Sequence, residues 1–183
     1  MRKTILLAVV CALLPAAAVR AAVADSSSTG FTIKTSVTIQ APPDEVYRRL
    51  VHNIGDWWSS DHTFSGDAHN LSMEEKPMGC FCEKLPNGGG VRHLEVVRFA
   101  PGKTLVLSGA LGPLQSLAAT GSLSFQFSAA PGGTRLDMTY AVVGYLAAGM
   151  NTLAAPVDGV WTELLTRLKN YVETGNPVPK PRV

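Results

Sequence analysis

The feature that most constrains the fold is an amphipathic segment near the end of the chain, residues 156–173. Its apolar residues recur at steps of three and four, the spacing of one buried face of an α-helix. Pro156 suits the first turn of a helix, and Gly175 follows its end. A helix of about 18 residues is about 27 Å long and can lie across a whole sheet. The apolar face consists of Val157, Val160, Trp161, Leu164, Leu168, Tyr171 and Val172.

Most of the preceding sequence is typical of β-strands. Residues 31–40 alternate apolar and polar side chains, as a half-buried strand does. Two longer alternating segments, 117–128 and 135–142, flank the turn Pro131-Gly132-Gly133 and predict an antiparallel hairpin. Turn sequences rich in Pro and Gly separate four further strand segments, at 71–75, 79–85, 91–99 and 104–111.

Two short helices are predicted between the first strand and the second. The first covers residues 44–52, after the break at Ala41-Pro42-Pro43, and the second, a short helix or a turn, covers residues 54–58. The order is therefore one strand, two short helices, six strands and one long helix. This order predicts an α+β fold in which a curved antiparallel sheet of about seven strands grips the C-terminal helix.

The N-terminus has the three parts of a secretory leader. Met1-Arg2-Lys3 precedes an apolar run at 4–14 and the small-residue motif Ala22-Val23-Ala24. The apolar run is too short for a comfortable membrane span, so a retained anchor is the weaker alternative. We predict a signal peptide at 1–24, a linker at 25–30, one domain at 31–174 and a flexible tail at 175–183. The protein would be exported, periplasmic or secreted, without stable membrane insertion after signal removal.

The charge balance gives no indication of nucleic-acid binding. The whole chain has a formal net charge of +2, from 16 basic and 14 acidic residues. Removing Arg2, Lys3 and Arg20 with the leader leaves 13 basic residues against 14 acidic ones. No basic patch then remains to attract a polyanion.

Two cysteines, Cys80 and Cys82, follow the predicted leader. In a regular strand their side chains would point to the same face, about 6.6 Å apart along the strand. This geometry disfavours a disulfide, and we expect two unbridged, packed thiols. One alternative is a strained or redox-active bridge, because exported proteins form disulfides. The other is a pair of metal or haem ligands.

Other polar motifs do not predict a metal or a cofactor. The loop at 59–70 contains Asp61, His62, Asp67 and His69, but without the rigid spacing of metal ligands. The sequence Gly102-Lys103-Thr104 resembles the end of a phosphate-binding loop, but it lacks the upstream glycine and the following helix. We therefore predict no metal and no cofactor.

The register of residues 91–99 decides whether polar groups face the interior. One parity places Val91, His93, Glu95, Val97 and Phe99 on a common face. We favour this face as the inner one, because Val97 and Phe99 need cover more than the arginines at 92 and 98 do. His93 and Glu95 would then be polar groups in an apolar pocket, able to orient a ligand or move a proton.

Several segments resemble the helix-grip superfamily. They are the stretch FTIKTSVTIQAPPDEVYRRL at 31–50, IGDWW at 54–58, VRHLEVVRFAPGKTLVLSG at 91–109 and the C-terminal amphipathic helix. The superfamily includes START lipid-transfer domains, plant pollen allergens, polyketide cyclases and proteins like the chaperone ATPase activator. The resemblance covers residues 31–174 and implies a sheet gripping the last helix around a mostly apolar cavity. Such a fold hosts both carriers and enzymes.

The expected function is binding of a small hydrophobic or amphipathic molecule in that cavity. An enzyme of the cyclase or dehydratase kind, using the same cavity, is the first alternative. A protein-interaction module is the second, and export argues against it because the chaperone partner of those relatives is intracellular. The candidate ligand-binding residues are Trp57, Trp58, Phe64, Phe81, His93, Glu95, Met138, Tyr140, Tyr145, Trp161 and Leu164.

Overall fold

The computed structural model describes residues 20–178, which contain a single antiparallel sheet of eight strands. The strands lie in the order β1-β2-β8-β7-β6-β5-β4-β3. Helices α1 (Pro43–His52) and α2 (Ile54–Trp57) follow the second strand, and α3 (Ala154–Thr174) follows the last. The predicted α+β class is confirmed. The strands are β1 (Arg20–Ser27), β2 (Gly30–Ile39), β3 (Leu71–Met73), β4 (Cys80–Lys84), β5 (Gly90–Ala100), β6 (Thr104–Ser108), β7 (Ala118–Ala130) and β8 (Gly133–Tyr145).

The hairpin of β7 and β8 forms the centre of the sheet. Its two strands pair without interruption over 13 residues each, from Ala118 opposite Tyr145 to Ala130 opposite Gly133. Apolar side chains at every second position of both strands point to one face, and that face is covered by the helices. The alternation that predicted this hairpin therefore reflects its one-sided burial.

A strand that the sequence does not predict lies at the edge of the sheet. β1 pairs with β2 from Arg20 opposite Ser36 to Ser27 opposite Gly30. The linker predicted at 25–30 is wrong, because these residues complete one strand, turn and begin the next. Residues 22–29 are all exposed, so this strand has no apolar alternation to reveal it. Most of the predicted leader lies outside the described residues, and the predicted tail is described only as far as Val178.

Helix α3 packs its apolar face against the sheet, as its periodicity predicts. Its largest buried side chains lie in its middle and C-terminal turns. The helix ends at Gly175, whose backbone has φ of 77° and whose N–H donates to the Tyr171 carbonyl. A residue without a side chain suits this left-handed end. The buried residues of the helix are Ala154, Trp161, Leu164, Leu165, Leu168 and Tyr171.

Polar contacts fasten α3 to the segment around α2. The Arg167 guanidinium donates to the carbonyls of Trp57 and Trp58, at 2.9 Å each. The Tyr171 hydroxyl donates to a carboxylate oxygen of Asp56 at 2.9 Å. These contacts hold the C-terminal half of α3 closed over the sheet, so that any opening lies towards its N-terminal half.

The two cysteines form a disulfide, contrary to the expectation of free thiols. Their Cα atoms are 5.3 Å apart, closer than the about 6.6 Å of a regular strand and within the usual range for a disulfide. The register between β4 and β5 shifts between Phe81 and Cys82, and such irregularities bend strands. The prediction is wrong because it assumed a regular strand. Within residues 20–178, no helix has the length and hydrophobicity that crossing a membrane requires.

Candidate functional site

A cavity of about 350 Å³ lies between the sheet and the N-terminal half of α3. The loop after α2 forms one wall, and the turn between β6 and β7 forms another. The lining side chains are mostly apolar, with a few polar groups among them. They belong to Trp58, Asp61, His62, Thr63, Phe64, His93, Leu111, Pro113, Leu114, Tyr140, Leu153, Pro156, Val157, Val160 and Trp161, together with the backbone of Gly112.

The cavity exists because α3 has small residues in its first turns and large ones later. Residues 154–160 read Ala-Ala-Pro-Val-Asp-Gly-Val, and only Val157 and Val160 of these direct branched side chains towards the cavity. Leu164 and Leu168 fill the corresponding space further along the helix and are fully buried. A helix with this gradient of side-chain volume closes tightly at one end and leaves a void at the other.

The cavity wall includes His93, whose imidazole pairs with the buried carboxylate of Glu83. His93 Nε2 lies 2.9 Å from Glu83 Oε2, and the side chains are 3% and 0% exposed. Phe81 pairs with Leu94 and Cys82 pairs with Arg92, so His93 is an extra residue in β5. This bulge lets His93 and the next residue, Leu94, both face the interior. β-Bulges redirect side chains in this way beside functional sites.

Glu83 also anchors the loop that carries Phe64. The backbone N–H of Phe64 donates to Glu83 Oε2 at 3.1 Å, and the N–H of Ser65 donates to Oε1. Phe64 stacks on His93, with ring centroids 5.9 Å apart and planes at 18°, although Phe64 is itself half exposed. The carboxylate therefore holds both the imidazole and the aromatic ring that covers it.

The electrostatics of the pair favour an ionised Glu83 and a neutral His93. Burial raises the pKa of Glu83, but the hydrogen bonds from Ser65, Phe64 and His93 outweigh burial and leave that pKa below its ordinary value. Burial lowers the pKa of His93 by more than the hydrogen bond to Glu83 raises it. An ionised carboxylate can only accept, so Nε2 carries the proton and Nδ1 keeps its lone pair.

Two further polar groups belong to cavity-lining side chains. The Tyr140 hydroxyl accepts from the backbone N–H of Leu111 at 3.0 Å. Burial raises the pKa of Tyr140, partly opposed by this hydrogen bond, to about 12. Trp161 Nε1 and His93 Nδ1 are both buried and have no hydrogen-bond partner among residues 20–178. His93 Nδ1, Trp161 Nε1 and the Tyr140 hydroxyl are therefore buried polar groups of residues that border the cavity.

Two polar contacts hold the loop after α2 in place beside the cavity, one of them to α3. His62 Nε2 lies 2.9 Å from Glu163 Oε2, and Trp58 Nε1 donates to the His62 carbonyl at 3.0 Å. Among the described residues, no three His, Cys, Asp or Glu side chains gather as a metal site would require. Asp67 and His69 lie outside the cavity lining.

The structure brings five of the eleven sequence-predicted site residues into the cavity wall. They are Trp58, Phe64, His93, Tyr140 and Trp161. Phe81 lies directly behind the wall, with its ring centroid 5.2 Å from that of His93. Trp57, Met138 and Leu164 are buried in the core and do not line the cavity.

Glu95 and Tyr145 lie outside the site. Glu95 is opposite Cys80 on the outer face of the sheet, where its carboxylate pairs with Arg92. The prediction that Glu95 shares the face of His93 is wrong, because the extra residue in β5 reverses the parity. Val97 is a second extra residue in β5, because Val96 pairs with Leu107 and Arg98 pairs with Val106. Its side chain is 55% exposed. Tyr145 is 73% exposed at the end of β8.

Glu83 is the functional candidate that sequence reasoning missed. It follows Phe81 by two positions in a strand, so an inward Phe81 implies an inward Glu83. That signal was available in the sequence. The turn at residues 111–114 was also missed as part of the cavity wall. Its position depends on how the flanking strands, β6 and β7, pair with each other.

Comparisons with known proteins agree with this architecture. A conserved protein of unknown function from Enterococcus faecalis is 19% identical, with a TM-score of 0.60 over 86% of this chain and 80% of that chain. The Aha1 dimer from Colwellia psychrerythraea is 20% identical, with a TM-score of 0.58 over 79% and 97%. CalU16 from Micromonospora echinospora is 14% identical, with a TM-score of 0.54 over 87% and 88%. These likenesses show the helix-grip fold.

Among curated proteins, none matches this chain. The sequence model of one family, described as polyketide cyclase / dehydrase and lipid transport, matches residues 30–173. The matched region runs from the first residue of β2 to the last turn of α3, and so it contains the cavity and most of the described chain. The resemblance inferred from the sequence is confirmed, and the chain belongs to the polyketide cyclase / dehydrase and lipid transport family.

Proposed function

We propose that this protein binds a small hydrophobic or amphipathic molecule in the cavity between the sheet and α3. The observation that carries the proposal is a largely apolar cavity of about 350 Å³ whose wall includes His93, and His93 is paired with the buried Glu83. Ligand sites combine apolar walls with a few fixed polar groups in this way. Burying about 200 Å² of apolar ligand surface would contribute about 5 kcal/mol before the costs of association.

Export to the periplasm or beyond is part of the proposal. The leader motif supports it, and so does the disulfide, because disulfides persist in oxidising compartments. Cleavage before Asp25 would fall within β1, but residues 22–29 are exposed and contribute nothing to the core. Loss of residues 1–24 is therefore compatible with a stable domain.

Native mass spectrometry of the protein purified from its own host tests the binding proposal. We expect a co-purified species that leaves on denaturation and that binds again to the refolded chain. A matched sample of the variant Val160→Trp, in which an indole occupies the cavity, should carry less of that species. Equal amounts of ligand on both proteins would place the ligand elsewhere and contradict the proposal.

A second candidate function is an enzyme of the cyclase or dehydratase kind. The observation that favours it is the Glu83–His93 pair, since a neutral imidazole oriented by a carboxylate is a competent general base. Proton exchange provides the test: an apolar ketone with acidic α-hydrogens is incubated with the protein in D₂O and followed by NMR. Exchange that is faster than background and disappears in His93→Phe would favour an enzyme. Exchange at the background rate would favour a carrier.

A further inference from the structure

We infer that the bridge between Cys80 and Cys82 is a thiol–disulfide exchange site, which accepts two electrons from thiols of other molecules and returns them to disulfides. Cys82 would be the sulfur that exchanges with the substrate, and Cys80 would be its internal partner. The inference goes beyond the proposed function, because the bridge lies on the face of the sheet opposite to the cavity.

The bridge faces outward from β4 and is open to an attacking thiol. The alternate residues Phe81 and Glu83 are buried on the inner face, whereas both cysteines are only half-buried. Cys82 has an exposed residue opposite it on each neighbouring strand, Ser72 on β3 and Arg92 on β5. The helices cover the other face of the sheet. A thiolate in solution can therefore approach the bridge without opening the core.

The bridge adds no connection that the fold lacks. It joins residues two positions apart in one strand, and that strand is already paired with β3 and β5. So short a loop restricts the unfolded chain much less than the long loops that stabilising disulfides close. The cysteine Cα atoms are also closer than in a regular strand, so reduction would let the strand extend. Folding therefore stabilises this bridge little, and such disulfides are the ones that other thiols reduce readily.

Two cations lie beside Cys82 on the outer face. Arg92 is directly opposite it on β5, and Lys84 follows two positions later on β4. Arg92 shares its charge with Glu95 at 3.2 Å, and Lys84 adds a second positive charge. Positive charges attract an incoming thiolate and favour the thiolate form of a neighbouring cysteine. Both effects promote exchange at the Cys82 sulfur.

The surroundings of Cys80 are more acidic. Glu74 Oε2 accepts from the backbone N–H of Cys80 at 3.3 Å, and Glu95 is opposite Cys80 on β5. Lys76 pairs with Glu74 at 3.2 Å and offsets part of this charge. Carboxylates repel an attacking thiolate and disfavour a thiolate at the neighbouring sulfur. The two sulfurs of the bridge are therefore unequal, and Cys82 is the better site of attack.

The exchange takes two steps. A substrate thiolate attacks Sγ of Cys82, the bond between the cysteines breaks, and Cys80 leaves with the electron pair and takes up a proton. A second substrate thiolate then attacks the substrate sulfur of this mixed disulfide and releases Cys82. Two thiols become one disulfide, and their two electrons and two protons remain on the cysteines. The reverse steps reoxidise the pair, with the Cys82 thiolate attacking a substrate disulfide.

Equilibration with glutathione tests whether the bridge exchanges. The folded chain would be incubated at pH 7.5 in about 5 mM glutathione with about 0.5 mM glutathione disulfide, quenched with acid, alkylated and weighed. We expect about half of the chains or more to be reduced, and samples that start oxidised or reduced should reach the same mixture. A structural disulfide would stay almost fully oxidised from both starting points, and that result would overturn the inference.

Single-cysteine variants test which sulfur exchanges. Cys80→Ser leaves the thiol of Cys82, and Cys82→Ser leaves that of Cys80. With the uncharged 2-hydroxyethyl disulfide at pH 7.5, the thiol of Cys82 should react about 3- to 10-fold faster. Equal rates, or a faster reaction of Cys80, would overturn the assignment of Cys82.

Charge variants test the cause of the difference. The double variant Lys84→Gln with Arg92→Gln should slow reduction of the bridge by glutathione about 3-fold or more. Arg98→Gln with Lys103→Gln removes the same charge from exposed positions away from the bridge and should react as the wild type does. Equal slowing in both double variants would mean that net charge, and not these two cations, sets the rate.

These assays are independent of the ligand cavity. None of them uses a cavity ligand, so the exchange inference and the binding proposal can fail separately. Circular dichroism checks that each variant is folded. If a cysteine variant does not fold, the glutathione equilibrium of the wild-type chain alone still decides whether the bridge exchanges.

Discussion

Trp161 belongs both to the core and to the cavity wall. Its ring lies edge-on to those of Trp58, Phe125 and Tyr140, with centroids 5.9, 5.9 and 6.3 Å away. Trp161 also borders the cavity, although it is only 1% exposed. Leu164, one turn later, is fully buried and borders no cavity. The two side chains offer a direct comparison of wall and core at neighbouring positions.

Replacing Trp161 by alanine should therefore cost less stability than removing a packed tryptophan, which costs about 3–5 kcal/mol. We expect a loss of about 2–3 kcal/mol, together with weaker binding of an uncharged apolar dye. Leu164→Ala should cost about 2–5 kcal/mol and leave dye affinity unchanged. Urea unfolding and dye titration measure both quantities. A larger loss at Trp161 with unaltered dye binding would assign Trp161 to the packed core.

The buried Glu83–His93 pair should make stability fall in mild acid. The folded-state pKa of His93 lies below its ordinary value of 6.5, so below pH 6.5 the unfolded chain takes up a proton that the folded chain does not. The contribution of His93 to stability is fully present above pH 6.5 and is lost as the pH falls towards the folded-state pKa. Glu83, whose pKa is also lowered, adds a further decline below 4.5.

Urea midpoints at pH 7.5, 6.5 and 5.5 measure the effect of His93. One histidine contributes at most about 1.4 kcal/mol per pH unit. The double variant Glu83→Gln with His93→Phe should lose the decline between pH 6.5 and 5.5. His69→Gln, at an exposed position, should keep it. An unchanged slope in the double variant would show that other groups cause the decline.

Among the elements, β5 is the one in which the facing of side chains could not be predicted from the sequence. The hairpin of β7 and β8 and the face of α3 were predictable because a single period runs through each of them. In β5 the extra residues His93 and Val97 break the period twice. Bulges are set by how neighbouring strands pair, so a parity argument about one strand cannot locate them. This is why His93 was correctly placed inside and Glu95 was not.

The gradient of side-chain size along α3 can be tested by enlarging residues at each end. Val160→Phe adds volume where there is a cavity, so it should cost less than about 1 kcal/mol and reduce dye binding. Leu168→Phe adds volume to a filled core and should cost about 1–3 kcal/mol without affecting the dye. The same unfolding and titration assays apply. Similar costs at both positions would mean that the N-terminal half of α3 is as tightly packed as the rest.

The disulfide in β4 should appear in the mass of the protein isolated from its host. The unreduced, denatured chain should be lighter by two hydrogens and take up no alkylating label at Cys80 or Cys82, whereas two labels should follow reduction. The bridge closes a loop of only three residues, so replacing both cysteines by serine should cost about 1–2 kcal/mol. Two labels without reduction would show free thiols and would weaken the argument for export.

At the scale of the whole molecule, removal of the proposed leader would decide which chain performs the function. N-terminal sequencing of the protein from its native host should begin near Asp25, giving a chain of about 159 residues. The cavity and the disulfide both lie downstream of this point, so a chain cleaved there would retain them. An intact Met1 on the protein in the cytoplasm would contradict export and leave the disulfide without its oxidising environment.

Cleavage before Asp25 would also change the edge of the sheet. In the precursor, residues 20–23 lie opposite Ile33 to Ser36, whereas the mature chain keeps only the pairs of Asp25, Ser26 and Ser27. The backbone groups at 33–36 that faced the lost residues would then be open to a strand from another molecule. Lys34 is exposed in the middle of this stretch, and two copies paired there would bring like charges together. Processing would thus replace a covered edge by one that a single positive charge protects from self-association.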